Sequence, residues 1–388
     1  MKFTVSRSLL AEQLSILKGL IETKSQIQIL SFIHIKADTR LWLKIVTGLS
    51  RSQLTLDIDA DVTSPGEILL PGELFTEVVE TYAGDNITFE YDKPALQLES
   101  TRKDLSVTCG RTTTHFAMVP VGEFVPPMVI KGNYDRWIPA GEFQRAIDFV
   151  LFSVADKNNP SAELRSVSFK INKGILELAS ADGFRLSRSR TVIQEEDLFE
   201  NIAVTIDGVS MAGLRRVLSG RTDNIAISVH EGDEHIVGFK APGFEYLTHK
   251  GPHQYIEYEK FYPDEFTGSV TLPAKNLVKV AKAIRTMAMG AYFPVITLRS
   301  GNGVLQMKTK DDVDEDKSAS VTIDAECAGE QVNFSLNGNY LLDCLKAVEK
   351  HCEDTDKLVI RCSKSKPAIF EIDGKDAFFY LVMPVEGK

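Results

Sequence analysis

The chain has 388 residues, of which 43% are hydrophobic and 25% are charged, a composition typical of a soluble globular protein with two or three domains. Its formal net charge of -10 argues against a nucleic-acid binder with a uniformly basic surface. The five cysteines form no CxxC pair, so we expect a reduced compartment and no structural zinc site. Because there is neither a membrane-spanning apolar run nor a signal-peptide core after MKFTVSRSLL, we expect a cytoplasmic protein.

The first predicted element is an amphipathic helix that begins near Arg7. Leu10, Leu14, Leu17 and Ile21 recur there at helical spacing and predict one buried face. In a later segment of the same kind, Pro273 suits the first turn of a helix. Such segments recur roughly every 65 residues, beginning near Arg7, Pro71, Pro139, Gly208, Leu272 and Asn337. This interval predicts a repeat architecture with six helices.

The stretches between these helices alternate apolar and polar residues around short turns. Examples are VSFKIN-KG-ILELASA, ISV-HEGDE-HIVGF, VITLRS-GNG-VLQMKTK and IFEI-DGKD-AFFYLVM. Alternation around a glycine-containing turn is the usual signal of a β-hairpin. We therefore predict a repeat of one helix and about four antiparallel strands.

Two adjacent repeats are needed to cover the apolar face of each helix, so six repeats predict three domains. The predicted fold class is α+β, with domains at residues 1–124, 137–263 and 269–388. Turn-rich residues 123–135 and the Pro-containing, acidic residues 262–268 are the predicted linkers.

Charge is unevenly distributed along the chain. Lys275, Lys279 and Lys282 share one face of the fifth predicted helix, and residues 208–222 hold three arginines and no acid. Acids gather at residues 194–200, 257–264 and 311–316, but the second predicted helix is acidic as well, so the segregation is incomplete. The basic faces could contact nucleic acid, or they could simply be solvated helix surfaces.

Motifs for catalysis and metal binding are missing from the sequence. The seven histidines show no HExxH spacing, and there is neither a GxSxG elbow nor a GxxxxGK[ST] loop. The acidic residues 311–316 lack the glycine and glutamate of an EF-hand and are better explained as a charged hairpin loop. An enzyme on a repeated α+β scaffold stays open as a hypothesis, but none of these motifs supports it.

Five stretches together carry a resemblance to a known family: MKFTVSRSLL, PGEILLPGELF, SADGFRL, FSLNGNYLLDCLKAV and YLVMPV. In this order and spacing, the chain resembles the bacterial β sliding clamp family, the processivity subunits of DNA polymerase III. The resemblance covers essentially the whole length.

The resemblance implies a DNA-clamp fold and a head-to-tail homodimer, in which six domains form a ring around duplex DNA without reading its sequence. It implies no catalysis, no cofactor, no metal and no membrane association. The implied partners are duplex DNA, the DNA polymerase III alpha subunit, the clamp loader, and other DNA polymerases and repair proteins that bind through short linear motifs. An alternative is a clamp-like variant with altered partner specificity.

The resemblance also implies a pocket for the partner peptides, in which Arg185 would offer hydrogen bonds to the peptide backbone. Its residues by motif are Leu164, Ala181, Gly183, Phe184, Arg185, Leu186, Ile256, Lys260, Phe261, Asn337, Tyr340, Leu381, Val382, Met383, Pro384 and Val385. The family usually has threonine at Ala181, proline at Ile256 and a basic residue at Glu386, and these departures motivate the alternative.

Two further sets of residues follow from the resemblance. Residues expected to face DNA are Lys24, Lys157, Arg215, Lys275, Lys279 and Lys282. Phe116 and Met118 are the expected apolar contacts of the dimer interface, although ordinary core positions would explain both equally well.

Overall fold

The computed structural model describes residues 1–22, 25–48, 51–91, 104–117, 119, 121–193, 201–229, 235–251, 254–287, 295–310, 319–363 and 366–385. The chain divides into two compact units. The first unit consists of residues 1–140 and 212–250, and the second of residues 141–211 and 251–388. The middle of the chain thus contributes to both units.

Six α-helices lie in the described residues, at the six predicted places. They are α1 (Arg7–Lys18), α2 (Gly72–Thr81), α3 (Ala140–Leu151), α4 (Gly208–Val217), α5 (Ala274–Met287) and α6 (Gly338–His351). Pro273 is the last residue of the preceding strand and not part of the first helical turn, because it continues the ladder opposite Lys357. The predicted six-fold repeat of helices is confirmed.

The first unit contains two antiparallel sheets. Its strands are β1 (Lys2–Ser6), β2 (Phe32–Ala37), β3 (Leu41–Thr47), β4 (Ser52–Ile58), β5 (Asp61–Ser64), β6 (Gly66–Pro71), β7 (Asn86–Glu90), β8 (Asp104–Cys109), β9 (Thr112–Ala117), β10 (Arg136–Pro139), β15 (Asn224–Val229), β16 (Ile236–Ala241) and β17 (Phe244–His249). One sheet has the order β5-β1-β7-β8-β9, and the other β10-β15-β16-β17-β4-β3-β2-β6. The larger sheet is continuous across the first predicted domain boundary because β17 pairs with β4.

The second unit has the same organisation. Its strands are β11 (Ser166–Asn172), β12 (Ile175–Ala181), β13 (Arg185–Val192), β14 (Ile202–Asp207), β18 (Gly268–Pro273), β19 (Val295–Gly301), β20 (Val304–Lys310), β21 (Ser320–Asp324), β22 (Glu326–Gly329), β23 (Asn333–Asn337), β24 (Lys357–Cys362), β25 (Ala368–Ile372) and β26 (Lys375–Val382). The sheet orders are β14-β11-β12-β13-β26-β25-β24-β18-β22 and β21-β20-β19-β23. Here β13 pairs with β26, so the terminal strand of the chain joins a strand from its middle.

The helices pack their predicted apolar stripes into the cores. Leu10, Leu14 and Leu17 of α1 are fully buried in the first unit, whereas Ile21 lies after the end of α1 and is half-buried. In the second unit Leu277 and Ala281 of α5 are fully buried in a core that also contains the buried stripe of α6. Burial of each of these leucine side chains contributes about 1.5–3 kcal/mol, more than helix propensity supplies at the same position.

The predicted hairpin turns are confirmed where the chain is described. Lys173 and Gly174 have φ angles of 48° and 71°, and Asn302 and Gly303 have φ angles of 51° and 78°. Positive φ at both central residues defines the type I′ turn, whose twist matches that of the strands it joins. The HEGDE turn lies outside the described residues.

Both predicted linkers pack onto a sheet, the second through Tyr262, whose ring centre lies 4.5 Å from that of Phe379 on β26. In the first unit the strap, residues 124–134, crosses the eight-stranded sheet. Met128 N–H donates to Gln53 Oε1 over 2.9 Å, and Tyr134 Oη donates to Glu245 Oε1 over 3.0 Å. In the second unit Tyr258, which lies just before the predicted linker, is fully buried against the nine-stranded sheet, where its hydroxyl donates to Glu177.

Candidate partner-binding and DNA-facing sites

The candidate peptide site is centred on the turn between β12 and β13. Asp182 Oδ1 accepts the backbone N–H groups of Phe184 and Arg185 over 2.9 and 3.1 Å. Gly183 has a φ of 96°, which favours glycine. A side-chain carboxylate bonded to the backbone two and three residues ahead stabilises such a turn. The turn therefore holds Phe184 outward, with 62% of its surface exposed.

The end of the chain lies beside this turn. In the ladder of β13 and β26, Leu186 pairs with Leu381, and Met383 N–H then donates to Phe184 O over 2.9 Å. Val385 N–H donates to Ser335 O over 2.7 Å. The SADGFRL and YLVMPV stretches, separated by nearly half the chain, are thus hydrogen-bonded neighbours.

One face of this ladder carries an apolar cluster. Ala181, Leu186 and Leu381 are 5%, 3% and 4% exposed, and the side chains of Leu164 and Ile256 pack against them. The structure therefore brings together five residues of the predicted pocket. Alanine at position 181 keeps this wall apolar and smaller than threonine would make it.

The opposite face carries three other predicted residues. Val382 is 1% exposed in the core beneath α6, because successive residues of a strand point to opposite sides. Arg185, which pairs with Val382, stacks on the ring of Tyr340 with 4.3 Å between its Cζ and the ring centre. The predicted pocket residues thus lie on both sides of the sheet.

Arg185 is held by two acids. Its Nε donates to Asp182 Oδ2 over 2.9 Å, and its Nη1 donates to Asp343 Oδ2 over 3.0 Å. Burial disfavours the charged guanidinium, but neighbouring groups that include Asp182 and Asp343 outweigh this effect and raise its pKa. Arg185 consequently ties the turn to α6, and a hydrogen bond from it to a peptide stays a prediction.

The remaining predicted pocket residues surround these two faces. Asn337 caps α6 by accepting the N–H of Asn339 over 2.9 Å. Phe261 is 57% exposed at the end of the short 3₁₀ helix Tyr258–Phe261, and Lys260 beside it pairs with Glu257. Met383 and Val385 are 45% and 38% exposed, and Pro384 between them is half-buried. The exposed apolar surface of the site therefore comes from Phe184, Phe261, Met383 and Val385.

The lysines of α5 occupy an exposed face, but acids from the end of α6 and the turn after it accompany them. Lys275 pairs with Asp354, and Lys282 Nζ lies 2.6 Å from Glu349 Oε2. Lys279 is exposed, and its charge contributes to the lowered pKa of Asp354, after the hydrogen bond and charge of Lys275. This surface is a mixture of both signs with a small excess of positive charge.

The positions of the other residues predicted to face DNA say less about a DNA-binding surface. Lys157 is exposed in the loop after α3, and Arg215 is half-buried on α4. Lys24 lies outside the described residues.

Phe116, one of the two predicted dimer contacts, belongs to the core of its own unit. It is 3% exposed and meets Phe75 edge to face, with 5.9 Å between ring centres. Met118 lies outside the described residues. The backbone of β9, which contains Phe116, is at the end of the five-stranded sheet.

Sequence reasoning missed the acids that pair with the basic residues of both sites. Asp343 stands three residues after Tyr340 on α6, so helical spacing could have placed it near the pocket. Glu349 and Asp354 carried no such signal, because their lysine partners lie on another helix.

Within the part of the chain that the structure describes, no group of three or more His, Cys, Asp or Glu side chains could hold a metal ion. The described helices also include none with the length and apolar character needed to cross a membrane.

Comparison with known proteins identifies one family in three consecutive parts of the chain. The N-terminal, central and C-terminal domains of the DNA polymerase III beta subunit match residues 1–114, 137–249 and 259–386. The chain is 24% identical over 407 residues to the beta sliding clamp of Synechocystis sp., with 99% of each chain covered. It is 22% identical over 406 residues to that of Staphylococcus aureus, again with 99% of each covered. The crystal structure of the DNA polymerase sliding clamp from Bacillus subtilis covers 100% of both chains with a TM-score of 0.87 at 18% identity.

Proposed function

The chain belongs to the DNA polymerase III beta subunit family, and from this premise we propose that it encircles duplex DNA and tethers a DNA polymerase to it. The observation that carries the proposal is the continuity of the family match, because three successive family domains each contain two helices of the six-fold repeat. As a member of this family the chain is a sliding clamp, a processivity subunit without catalysis of its own. The alternative of a variant with altered partners is not favoured by these matches.

Ring closure requires two chains joined head to tail. In support, β9 of the first unit and β21 of the second unit are terminal strands of their sheets, with backbone groups that a partner strand can pair. Pairing β9 of one chain with β21 of the next would close a ring of six domains by a twofold operation. The apolar part of this interface, which we expected from Phe116 and Met118, stays a prediction.

A clamp that slides must be attracted to phosphates without being held at one place. The mixed face of α5 fits this requirement, because Glu349 and Asp354 offset part of the charge of Lys275 and Lys282. Contacts to phosphates alone carry no sequence information and allow movement along the duplex.

Partners would dock at the edge formed by Phe184 and Met383. Exposed aromatic and methionine side chains above a buried apolar wall suit a short peptide with apolar anchors. We assign this surface to the DNA polymerase III alpha subunit, the clamp loader, and other polymerases and repair proteins with linear motifs. Such partners place the chain in the cytoplasm with the replication machinery.

The topological part of the proposal is tested by loading the protein onto nicked circular DNA with a bacterial clamp loader. We expect it to remain bound through gel filtration at high salt and to be lost when the circle is cut once. Equal retention on circular and linear DNA would show ordinary binding and contradict encirclement.

The peptide part is tested by titrating a fluorescent polymerase-derived peptide into Phe184→Ala and Met383→Ala. We expect each variant to bind at least about tenfold more weakly, since each loses an exposed apolar side chain that the peptide would cover. Val192→Ala is the matched control, because Val192 is 78% exposed on the same strand as Arg185 and outside the site. Unchanged affinity in both site variants would mean that the peptide binds elsewhere.

A further inference from the structure

A cavity of about 410 Å³ lies in the first unit, on the side of the eight-stranded sheet that the strap crosses. The strand register places three of its lining residues side by side, because His34 pairs with Lys44 and Lys44 with Thr55. Thr55 in turn pairs with Glu245. Residues 127–130 of the strap line the cavity as well. Its volume is in the range of cavities that hold small organic ligands.

The charged groups of this cavity have partners, with one exception. Lys36 pairs with Asp38 at 3.3 Å, and Asp38 also accepts the indole N–H of Trp42 over 3.2 Å. Glu245 accepts the Tyr134 hydroxyl and lies 3.6 Å from Lys240. Each of these groups is therefore already satisfied by the protein.

Lys44 is the exception. It is half-buried, and among the residues that the structure describes its ammonium group has no hydrogen-bond or ion-pair partner. Burial, the largest cause, lowers its pKa. A half-buried cation without a partner is costly, and an anion supplied from outside would remove that cost.

The apolar part of the lining indicates that the ligand carries an apolar group as well as a negative charge. Trp42 is fixed by its bond to Asp38, and Val129 and Ile130 supply aliphatic surface from the strap. The charge of Glu245 partly offsets the effect of burial on the pKa of Lys44, but its carboxylate bonds to Tyr134 and Lys240 and forms no ion pair with Lys44.

We propose that this cavity binds a small organic anion, a carboxylate or phosphate monoester with a flat apolar body. The anionic group pairs with the ammonium of Lys44, and the body lies among Trp42, Val129 and Ile130. This site lies in the first unit, whereas the candidate peptide site lies in the second, and its occupancy does not depend on the clamp function.

The test uses the fluorescence of Trp42 in full-length protein. The chain has two tryptophans, so Trp137→Phe leaves Trp42 as the reporter. Phenyl phosphate and benzoate are titrated as probes, with benzyl alcohol as the neutral analogue and inorganic phosphate as the anion without a body. We expect a saturable change in the fluorescence of Trp42 with one or both aromatic anions. Which of them binds more tightly distinguishes phosphate esters from carboxylates as the source.

Charge at position 44 is then varied. We expect Lys44→Gln to weaken binding about tenfold or more and Lys44→Arg to retain most of it, because the contact is charge-assisted. Lys131→Gln is the matched control: Lys131 is exposed on the strap directly after Ile130 and is not part of the lining. Lys44→Gln should fold at least as stably as the parent, since it removes an unpaired half-buried charge.

Four results would overturn the proposal. The first is the absence of a saturable change with either aromatic anion, and the second is equal affinity in Lys44→Gln and the parent. The third is equal affinity for benzyl alcohol and the anions, which would show that the negative charge of the ligand contributes nothing to binding. The fourth is equal affinity for inorganic phosphate and phenyl phosphate. This would show that the apolar body of the ligand contributes nothing to binding, which contradicts the proposal.

Discussion

Arg185 of the SADGFRL stretch and Asp343 of α6 form an ion pair, with Nη1 and Oδ2 3.0 Å apart and the arginine side chain only 9% exposed. This ion pair links two elements. One is the turn on which Phe184 is exposed, and the other is α6, the helix capped by Asn337. Arg185 therefore acts first as a positioning residue for the edge where a partner peptide would dock.

Asp343→Asn should loosen this edge without touching a bound peptide. We expect peptide affinity to fall several-fold and the free energy of unfolding to fall by about 1–3 kcal/mol, because a hydrogen bond to a charged group is weakened. Peptide titration and denaturant unfolding measure the two effects. Lys346→Gln, which removes only the exposed ion pair on the other side of Asp343, is the control and should change neither. Full peptide affinity in Asp343→Asn would show that the turn holds its shape unaided.

Substitutions of the adjacent residues Val382 and Met383 should have opposite effects, one on stability and the other on peptide affinity. Val382→Ala removes two buried methyl groups from the core, so we expect a loss of stability of about 1–3 kcal/mol with peptide affinity kept within about twofold. Met383→Ala should lose peptide affinity and keep its stability, because its side chain is 45% exposed. Chemical denaturation and peptide titration of both variants make the comparison. A large affinity loss in Val382→Ala, with stability intact, would contradict the assignment of the two residues to different faces.

The acids beside α5 should weaken the attraction to DNA. Glu349→Gln removes the negative charge 2.6 Å from Lys282 Nζ, so we expect affinity for duplex DNA at low salt to rise about two- to fivefold. Lys279→Glu should lower it by a similar factor. Anisotropy titrations over a range of salt concentrations measure both. Glu371→Gln is the charge-matched control, since Glu371 pairs with Arg361 on a strand of the nine-stranded sheet. Equal responses of Glu349→Gln and the control would remove this face from the DNA-binding surface.

His34 should titrate below the ordinary range of a histidine. Burial lowers its pKa from 6.5, and the hydrogen bond with Glu67, 3.1 Å from Nε2 to Oε2, only partly offsets this. The unfolded chain therefore binds a proton more readily than the folded chain does. The stability that His34 contributes is complete above pH 6.5 and is lost as the pH falls toward its folded pKa.

NMR titration of the His34 ring measures this shift directly. Glu67→Gln should lower the pKa further, because the negative charge that favours the protonated ring is removed. Glu90→Gln, which removes an exposed partner of Lys2, should leave it unchanged. A His34 pKa at or above the ordinary value would contradict the burial argument.

Local patterns in the sequence were sufficient for the elements of the fold. The spacing of Leu277 and Ala281 predicted the buried face of α5, and the pairs Lys173–Gly174 and Asn302–Gly303 predicted their turns. Each of these features depends on residues only a few positions apart. The pocket residues were placed by resemblance, and five of them do form one apolar cluster.

Only the tertiary structure decided how these elements meet. Arg185 and Asp343 are 158 residues apart, and Lys282 and Glu349 are 67 apart, so no local pattern links them. The cavity at Lys44 depends on strands from two predicted domains and on the strap that crosses them. Periodicity shows which face of an element is buried, because burial follows the side-chain repeat of that element alone. Which charges face one another depends on the pairing of distant strands and helices, and that pairing is fixed by packing of the whole chain.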